Sequence, residues 1–168
     1  LKACNAIAQN PGAEHNPFFL YGPVGVGKTH LINAVGNAVY AQGNRRVGYV
    51  SAGRFAQRLM EARQHHAEDY FREAYSHWDV LILDDIQFLS GQIEAQEEFF
   101  HIFNALYGAG RQIIIAADKA PDALGRLEAR LVSRFDGGLV AGIEPPDYAA
   151  RIAILKRHCA MAKANLPD

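Results

Sequence analysis

The residues whose types and spacing most clearly indicate chemistry form the segment Gly22-Pro23-Val24-Gly25-Val26-Gly27-Lys28-Thr29. This segment matches the phosphate-binding pattern G-x-x-x-x-G-K-[ST] at each fixed position. Its glycines let backbone N–H groups turn toward an anion, Lys28 can reach the β- and γ-phosphates, and Thr29 can bind Mg²⁺. The alternative is a glycine-rich turn that binds nothing. We favour nucleotide binding, because an apolar strand pattern at 18–21 precedes the loop and a helical pattern follows it.

Two adjacent carboxylates form the second group of candidates. Asp84 follows the uninterrupted apolar run 80–83, which is typical of a central strand covered on both faces, and Asp85 comes next. Ligands bind beyond the carboxyl ends of strands in an open α/β sheet, so these acids should lie beside the phosphate loop. Asp84 could hold Mg²⁺, directly or through water, and Asp85 could orient a water for attack on the γ-phosphate. A pair of solvated turn acids is the alternative.

A third candidate, Asp118, follows the apolar run 113–117. If that run is a neighbouring parallel strand, Asp118 lies at the same edge of the sheet, where it could sense the γ-phosphate or the attacking water. The segment from Asp118 to Pro121 is equally compatible with a simple turn. The sequence leaves both interpretations open.

Arg130 and Arg134 complete the candidates. They lie four residues apart in a short helical stretch and therefore share one face. Leu127 and Leu131 lie on another face and should hold the stretch to the core, so the arginines should point outward. Such a pair is either a solvated surface or a finger that reaches the γ-phosphate of a neighbouring subunit.

The composition is that of a folded domain. The 168 residues are 49% apolar and 21% charged, which predicts a packed core, and they suffice for one domain or for one and a fragment of another. The formal net charge of -1 argues against duplex-DNA recognition by electrostatics alone. Cys4 and Cys159 lack metal-ligand spacing and are predicted to be reduced thiols, with a bridge as the alternative. There is no membrane-span pattern and no signal peptide pattern.

Strand and helix patterns alternate along the chain, which predicts right-handed crossovers and an α/β fold. We expect a mostly parallel five-stranded sheet with helices on both faces. The predicted strands are 18–21, 46–51, 80–83, 113–117 and 139–143. The predicted helices are 1–9, 31–39, 55–62, 67–75, 94–106, 127–135 and one that begins at Asp147. The chain starts without methionine and stops one helix after a domain-like unit, so we expect it to be part of a longer protein.

Several segments have residue patterns that phosphate binding alone does not require. They are 16–22, 27–31, 84–89, 96–106, 130–135 and 143–147. With these segments the chain, from about residue 1 to residue 166, resembles the AAA+ ATPase domain of the bacterial DnaA replication initiators. The resemblance implies a P-loop AAA+ core at 1–146. It also implies an initiator-type insert of paired helices at 52–76 and the start of a helical lid at 147–168.

The resemblance assigns roles to the candidate residues. It implies that the Walker A site, which binds ATP or ADP, consists of Gly22, Gly25, Val26, Gly27, Lys28, Thr29 and His30. Thr29 and the Walker B residue Asp84 would hold Mg²⁺. The catalytic set would be Asp85, Asp118 at the sensor 1 position, and Arg130 and Arg134 in the element that faces a neighbour's nucleotide.

The resemblance also implies a function and partners. Such domains hydrolyse ATP slowly and, in the ATP form, assemble as a filament on origin DNA to open it and promote helicase loading. Duplex DNA would be read by a helix-turn-helix domain absent from these residues, and single-stranded DNA would be bound through the insert. The replicative helicase or its loader is a further expected partner, as is acidic phospholipid for the full-length protein. The expected location is the bacterial cytoplasm.

Some residues depart from the family pattern. Relatives often carry basic residues where this chain has Gln92 and Glu94. The four arginines of the insert are balanced by four acidic residues, so the insert is formally neutral. Weak single-strand binding is therefore expected. A regulatory AAA+ relative without a DNA-reading domain is the alternative function. A small-molecule kinase is disfavoured, because it would leave Arg130 and Arg134 unexplained.

Overall fold

The computed structural model describes residues 2–162 and shows one sheet of five strands. The strands are β1 Phe18–Tyr21, β2 Val47–Ser51, β3 Val80–Asp84, β4 Gln112–Ala117 and β5 Leu139–Gly142. They pair in the order β2-β3-β4-β1-β5, and each neighbouring pair is parallel. The predicted five-stranded α/β fold is confirmed, and the sheet is wholly rather than mostly parallel.

Seven helices and two 3₁₀ turns connect the strands within residues 2–162. The helices are α1 Lys2–Gln9, α2 Lys28–Tyr40, α3 Ala52–Gln64, α4 Glu68–Ser76, α5 Ile93–Gly108, α6 Ala129–Asp136 and α7 Tyr148–Ala162, and the turns are Ile86–Leu89 and Pro121–Ala123. None of the helices in this part of the chain has the length and apolar composition needed to cross a bilayer. Leu1 and residues 163–168, which the predictions assign to the first helix and to the lid, lie outside the described residues.

The last helix begins one residue later than predicted. The side chain of Asp147 accepts a hydrogen bond from the backbone N–H of Ala150 at 2.8 Å. This is the pattern of a residue that caps a helix N-terminus rather than one within the helix. The two 3₁₀ turns were not predicted, because their three or four residues are too few to show a periodic pattern.

Two apolar layers cover the sheet, because successive strand residues point to opposite faces. On one face, Phe18 and Leu20 pack with residues of α1 and α2, including the buried Cys4. On the other face, Phe19 packs with the aromatic residues Phe55, Phe99, Phe103 and Phe135 of α3, α5 and α6. Both cysteines are free thiols, as predicted.

The strand order brings the candidate segments together. Tyr21 at the end of β1 lies beside Ala117 at the end of β4, and Leu83 near the end of β3 lies beside Ile115 of β4. The segments that follow β1, β3 and β4 therefore leave the sheet at the same edge. The loop after β1 is the phosphate loop, Asp84 is the last residue of β3, and Asp85 and Asp118 directly follow β3 and β4.

The segment 52–76 between β2 and β3 contains the helices α3 and α4, and an ion pair joins this insert to α5. Arg72 of α4 donates two hydrogen bonds to Glu98 of α5, from Nε to Oε1 at 2.5 Å and from Nη2 to Oε2 at 2.8 Å. The side chain of Glu98 is 4% exposed, whereas that of Arg72 is 49% exposed. The charge of the buried Glu98 carboxylate is therefore compensated by one arginine, and the other side of that arginine is exposed to water.

Replacing this arginine tests how the insert is held. In Arg72→Met, Glu98 keeps its burial and loses its charged partner, so we expect the free energy of unfolding to fall by about 1–3 kcal/mol. Asp69→Asn is the matched control, because Asp69 is 98% exposed and lies 3.5 Å from the same guanidinium. Urea unfolding followed by circular dichroism measures both. Equal midpoints for the two variants would show that the buried pair does not hold the insert.

Candidate nucleotide-binding site

The phosphate loop has the backbone geometry that an anion site needs. Gly27 has φ +96° and precedes α2, a helix of 13 residues whose positive end faces the loop. Gly22 lies so close to the residue after β5 that a Cβ there would be 2.3 Å from the carbonyl oxygen of Ile143. Glycine is required at residue 27 by conformation and at residue 22 by close approach.

Lys28 lies inside the loop rather than in solvent. Its side chain is buried, and Nζ donates hydrogen bonds to the carbonyl oxygens of Gly22 at 2.7 Å and Pro23 at 3.0 Å. An ammonium group has three N–H donors, so these two contacts leave one donor for another acceptor. The carbonyls therefore hold the cation against the loop.

Thr29 and Asp84 meet across the gap between the loop and β3. The hydroxyl of Thr29 donates to Oδ2 of Asp84 at 2.7 Å, and the backbone N–H of Asp85 donates to Oδ1 at 3.0 Å. Asp84 is 2% exposed. A hydroxyl and a carboxylate in contact are oxygen ligands of the kind that Mg²⁺ prefers. Within residues 2–162 there is no group of three or more acidic, histidine or cysteine side chains that could hold a metal. Two protein ligands are compatible with Mg²⁺, because Mg²⁺ usually takes its remaining ligands from substrate phosphates and water.

Tyr49 is a site residue that the sequence analysis missed. Its hydroxyl donates to Oδ2 of Asp84 at 3.0 Å, so this oxygen accepts from Tyr49 and Thr29 together. Partial burial, followed by the hydrogen bond to Asp84, raises the pKa of Tyr49 to about 12. The phenol therefore remains a hydrogen-bond donor at neutral pH. The predicted strand contains Tyr49, but nothing in the local pattern indicates a partner 35 residues away.

Asp85 and Asp118 lie on either side of Gln87. Asp85 has φ 57° and ψ 51°, a left-handed conformation that is uncommon for a residue other than glycine and that clusters at functional sites. Its Oδ1 accepts a hydrogen bond from Nε2 of Gln87 at 2.9 Å, and the backbone N–H of Asp118 donates to Oε1 of Gln87 at 3.3 Å. Oδ1 of Asp118 is buried with no hydrogen-bond partner among the described residues.

A cavity of about 550 Å³ joins these groups. Of the predicted site residues it is lined by Gly25, Gly27, Lys28, Thr29, His30, Asp85 and Asp118. Gly22, Val26 and Asp84 lie outside this lining, although Gly22 and Asp84 contact Lys28 and Thr29 directly. Val24, Asn33 and Gln87 also line the cavity and were not predicted. Asn33 donates to the carbonyl oxygen of Thr29 at 2.9 Å. Its position four residues after Thr29 on a helix could have indicated from the sequence that it lies on the same face as Thr29.

The arginine pair is exposed and does not line this cavity. Cζ of Arg130 lies 4.5 Å from the ring centroid of Phe100 on α5, and Cζ of Arg134 lies 6.0 Å from the same centroid. Arg130 also forms an ion pair with Glu128. Arg134 has no salt bridge within the described part of the chain. The outward orientation agrees with the prediction, and Phe100 is a support that the sequence analysis missed.

Comparisons with known proteins agree on one family. The model of the bacterial DnaA ATPase domain matches residues 1–142. The chromosomal replication initiator protein DnaA of Pelobacter propionicus is 46% identical over 167 residues, which are 99% of this chain and 37% of that protein. The chain thus spans well under half the length of this curated relative.

Solved structures give the same result. Domain III of the Thermotoga maritima replication initiation protein DnaA has a TM-score of 0.96 and 40% identity, over 99% of this chain and 70% of that one. A replication initiator DnaA bound to AMPPCP and single-stranded DNA has a TM-score of 0.92 and 42% identity, over 99% of this chain and 52% of that one. From its motifs, its strand order and these matches, we conclude that the chain belongs to the bacterial DnaA family and contains its AAA+ ATPase domain.

Proposed function

We propose that this chain is the ATP-binding and slowly ATP-hydrolysing core of a replication initiator and that it acts mainly as a nucleotide switch. The observation that carries the proposal is the 2.7 Å contact between Thr29 and Asp84 at the cavity that Lys28, Asp85 and Asp118 line. This contact joins the Walker A and Walker B segments. A relative bound to AMPPCP supports a triphosphate as the ligand. A cavity of about 550 Å³ has the size of an ordinary small-ligand pocket.

The loop and the start of α2 hold the phosphates through backbone N–H groups, and Lys28 adds a positive charge. Thr29 and Asp84 hold Mg²⁺, which when bound neutralises charge on the phosphate oxygens. Tyr49 and the backbone N–H of Asp85 orient the carboxylate of Asp84 for this task. Val26 and His30 complete the nucleotide contacts.

Asp85 accepts a proton from the attacking water and orients it toward the γ-phosphate. Asp118 acts on the same water rather than on the phosphate itself. A carboxylate can only accept hydrogen bonds when ionised, and phosphate oxygens are acceptors of the same charge. The buried, unpartnered Oδ1 of Asp118 supports this role, because a water can donate to it.

Arg134 acts as the finger for the γ-phosphate of the next subunit, and Arg130 supports it. Arg130 is held by Glu128 and lies above Phe100, whereas Arg134 is an exposed residue without a salt bridge in residues 2–162. The nucleotide site of one subunit is then completed by an arginine of the next subunit. ATP binding is thereby coupled to filament assembly on origin DNA. In this proposal the assembly opens the origin and promotes loading of the replicative helicase, in the bacterial cytoplasm.

In this proposal the chain binds single-stranded DNA with lower affinity than relatives that carry basic residues in place of Gln92 and Glu94. A related DnaA whose structure was solved with bound single-stranded DNA supports this partner. In this chain Arg63 pairs with Glu94, and Arg72 pairs with Glu98 and Asp69, so two arginines of the insert 52–76 are neutralised by acids. Residues 147–168 would begin the lid. Duplex binding would belong to a domain outside these residues, and acidic phospholipid would be a partner of the full-length gene product.

A regulatory relative without a DNA-reading domain is the second candidate, because Gln92 and Glu94 replace the basic residues expected for the channel. A helix-turn-helix downstream of these residues in the gene product would favour the initiator.

The nucleotide site is tested by Lys28→Ala. Removal of the ammonium leaves the phosphates without their nearest side-chain charge, so ATP and ADP affinity should fall by at least tenfold. Isothermal titration calorimetry of the full-length gene product measures both nucleotides. Lys2→Ala removes an exposed lysine of α1 and should leave both affinities unchanged. If Lys28→Ala binds ATP as tightly as the control, the nucleotide is not held by this loop.

The finger is tested by mixing two defective proteins. Arg134→Ala should bind ATP normally as a monomer but lose ATP-dependent assembly and the hydrolysis that assembly stimulates, measured by light scattering and phosphate release. Adding Lys28→Ala subunits, which keep the finger, should restore activity to Arg134→Ala subunits, which keep the loop. Arg134→Lys keeps the charge without the planar fork and should be intermediate. A mixture no more active than either mutant alone would exclude action across an interface.

DNA affinity is tested by restoring positive charge. The wild-type protein should bind oligothymidylate weakly and with a shallow salt dependence, because few cations are free on the insert face. The double substitution Gln92→Lys and Glu94→Arg removes one acid, frees Arg63 and adds two cations. Its affinity should rise, and each new phosphate contact should steepen the log–log salt slope by about 0.7. Tight and steeply salt-dependent binding by the wild type would show that another surface holds the strand.

A further inference from the structure

Gln87 is the residue of the Walker B segment that the chemistry above leaves without a role. It belongs to the segment Asp84-Asp85-Ile86-Gln87, and nothing in metal binding or water activation requires an amide two residues after Asp85. It lies in the 3₁₀ turn Ile86–Leu89, is half-buried and lines the nucleotide cavity. Its position therefore needs a different explanation.

The amide of Gln87 is fixed at both ends. Nε2 donates to Oδ1 of Asp85 at 2.9 Å, and Oε1 accepts from the backbone N–H of Asp118 at 3.3 Å. An ionised carboxylate can only accept and a backbone N–H can only donate, so only one orientation of the amide satisfies both partners. Gln87 thereby joins the end of β3 to the end of β4 without using main-chain pairing.

We propose that Gln87 is a positioning residue that holds Asp85 and Asp118 in a fixed relation on either side of the attacking water. The bond to Oδ1 leaves Oδ2 of Asp85 for the water, since Oδ2 has no hydrogen bond within residues 2–162. The bond to the N–H of Asp118 fixes the backbone that carries the buried, unpartnered Oδ1. The proposal rests on the proposed function, because it requires that these two acids act on water during ATP hydrolysis.

This arrangement separates hydrolysis from binding. Gln87 makes its side-chain hydrogen bonds to Asp85 and Asp118, whereas the groups that hold phosphate and metal are Lys28, Thr29 and Asp84. A loss of the amide should therefore lower the rate of the chemical step and leave nucleotide affinity unchanged. Loss of an outer hydrogen bond that orients a functional group commonly costs about 10–100-fold in comparable metal sites.

The experiment uses single-turnover ATP hydrolysis and calorimetric ATP affinity, both on the full-length gene product. Gln87→Met keeps the size of the side chain and removes both hydrogen bonds, and its hydrolysis rate should fall about tenfold or more. Gln87→Glu keeps an acceptor for Asp118 N–H but places a negative charge against Asp85, so its rate should fall at least as far. Gln87→Met should keep the wild-type ATP affinity within about twofold, because it adds no charge to the cavity. Gln42→Met, at an exposed glutamine beyond the far end of α2, should match the wild type in both assays.

A double-mutant cycle shows whether Gln87 acts through Asp85. Asp85→Asn alone should be slow, and adding Gln87→Met to it should lower the rate by a smaller factor than in the wild type, because one of the two acids that Gln87 positions is already lost. If Gln87→Met lowers the hydrolysis rate by the same factor in Asp85→Asn as in the wild type, Gln87 does not act through Asp85. A wild-type rate in Gln87→Met, or a parallel loss of ATP affinity, would overturn the positioning role. If the wild-type protein neither binds nor hydrolyses ATP, the proposed function itself fails, and the two failures are thus distinguishable.

Discussion

The hydrogen bond from Thr29 to Asp84 is the contact on which the site depends. It joins the first residues of α2 to the last residue of β3, 55 residues apart in sequence. The contact exists because β4 lies between β1 and β3, so the phosphate loop and the acidic strand end reach the same edge of the sheet. Parallel strands need a helical crossover between them, and those crossovers supply the two apolar layers that hold the strands in this order.

The polar groups at this edge fall into two classes. Asp84 is buried and accepts hydrogen bonds from Thr29, Tyr49 and the backbone N–H of Asp85, so the protein itself satisfies this charge. Oδ1 of Asp118 is buried without such a partner in the described residues. Buried polar atoms are nearly always hydrogen-bonded, because their desolvation is costly. The first class therefore maintains the geometry of the site, and the second is available to a ligand or a water.

The two arginines of α6 form the second surface that the proposed function uses. Leu131 and Phe135 of this helix are fully buried, which leaves Arg130 and Arg134 on the outer side beside Phe100. An arginine that faces away from its own phosphate loop cannot act on its own nucleotide. In the proposed switch, each chain therefore carries a nearly complete nucleotide site and one contact for its neighbour, which makes hydrolysis depend on assembly.

Local sequence was sufficient for the phosphate loop, the acidic strand end and the five-stranded fold. Glycine spacing and apolar runs reflect requirements that each segment meets by itself, and the predicted bounds of all five strands agree with the structure within one residue. The predicted outward orientation of Arg130 and Arg134 followed in the same way from helical spacing.

Only the tertiary structure decided the order of the strands and the contacts of Tyr49, Gln87 and Phe100. Each of these residues acts on a partner on a different element, so neither its type nor its periodic position indicates the contact. A periodic pattern shows which face of an element is apolar, but the neighbour that covers that face is set by how the whole chain packs.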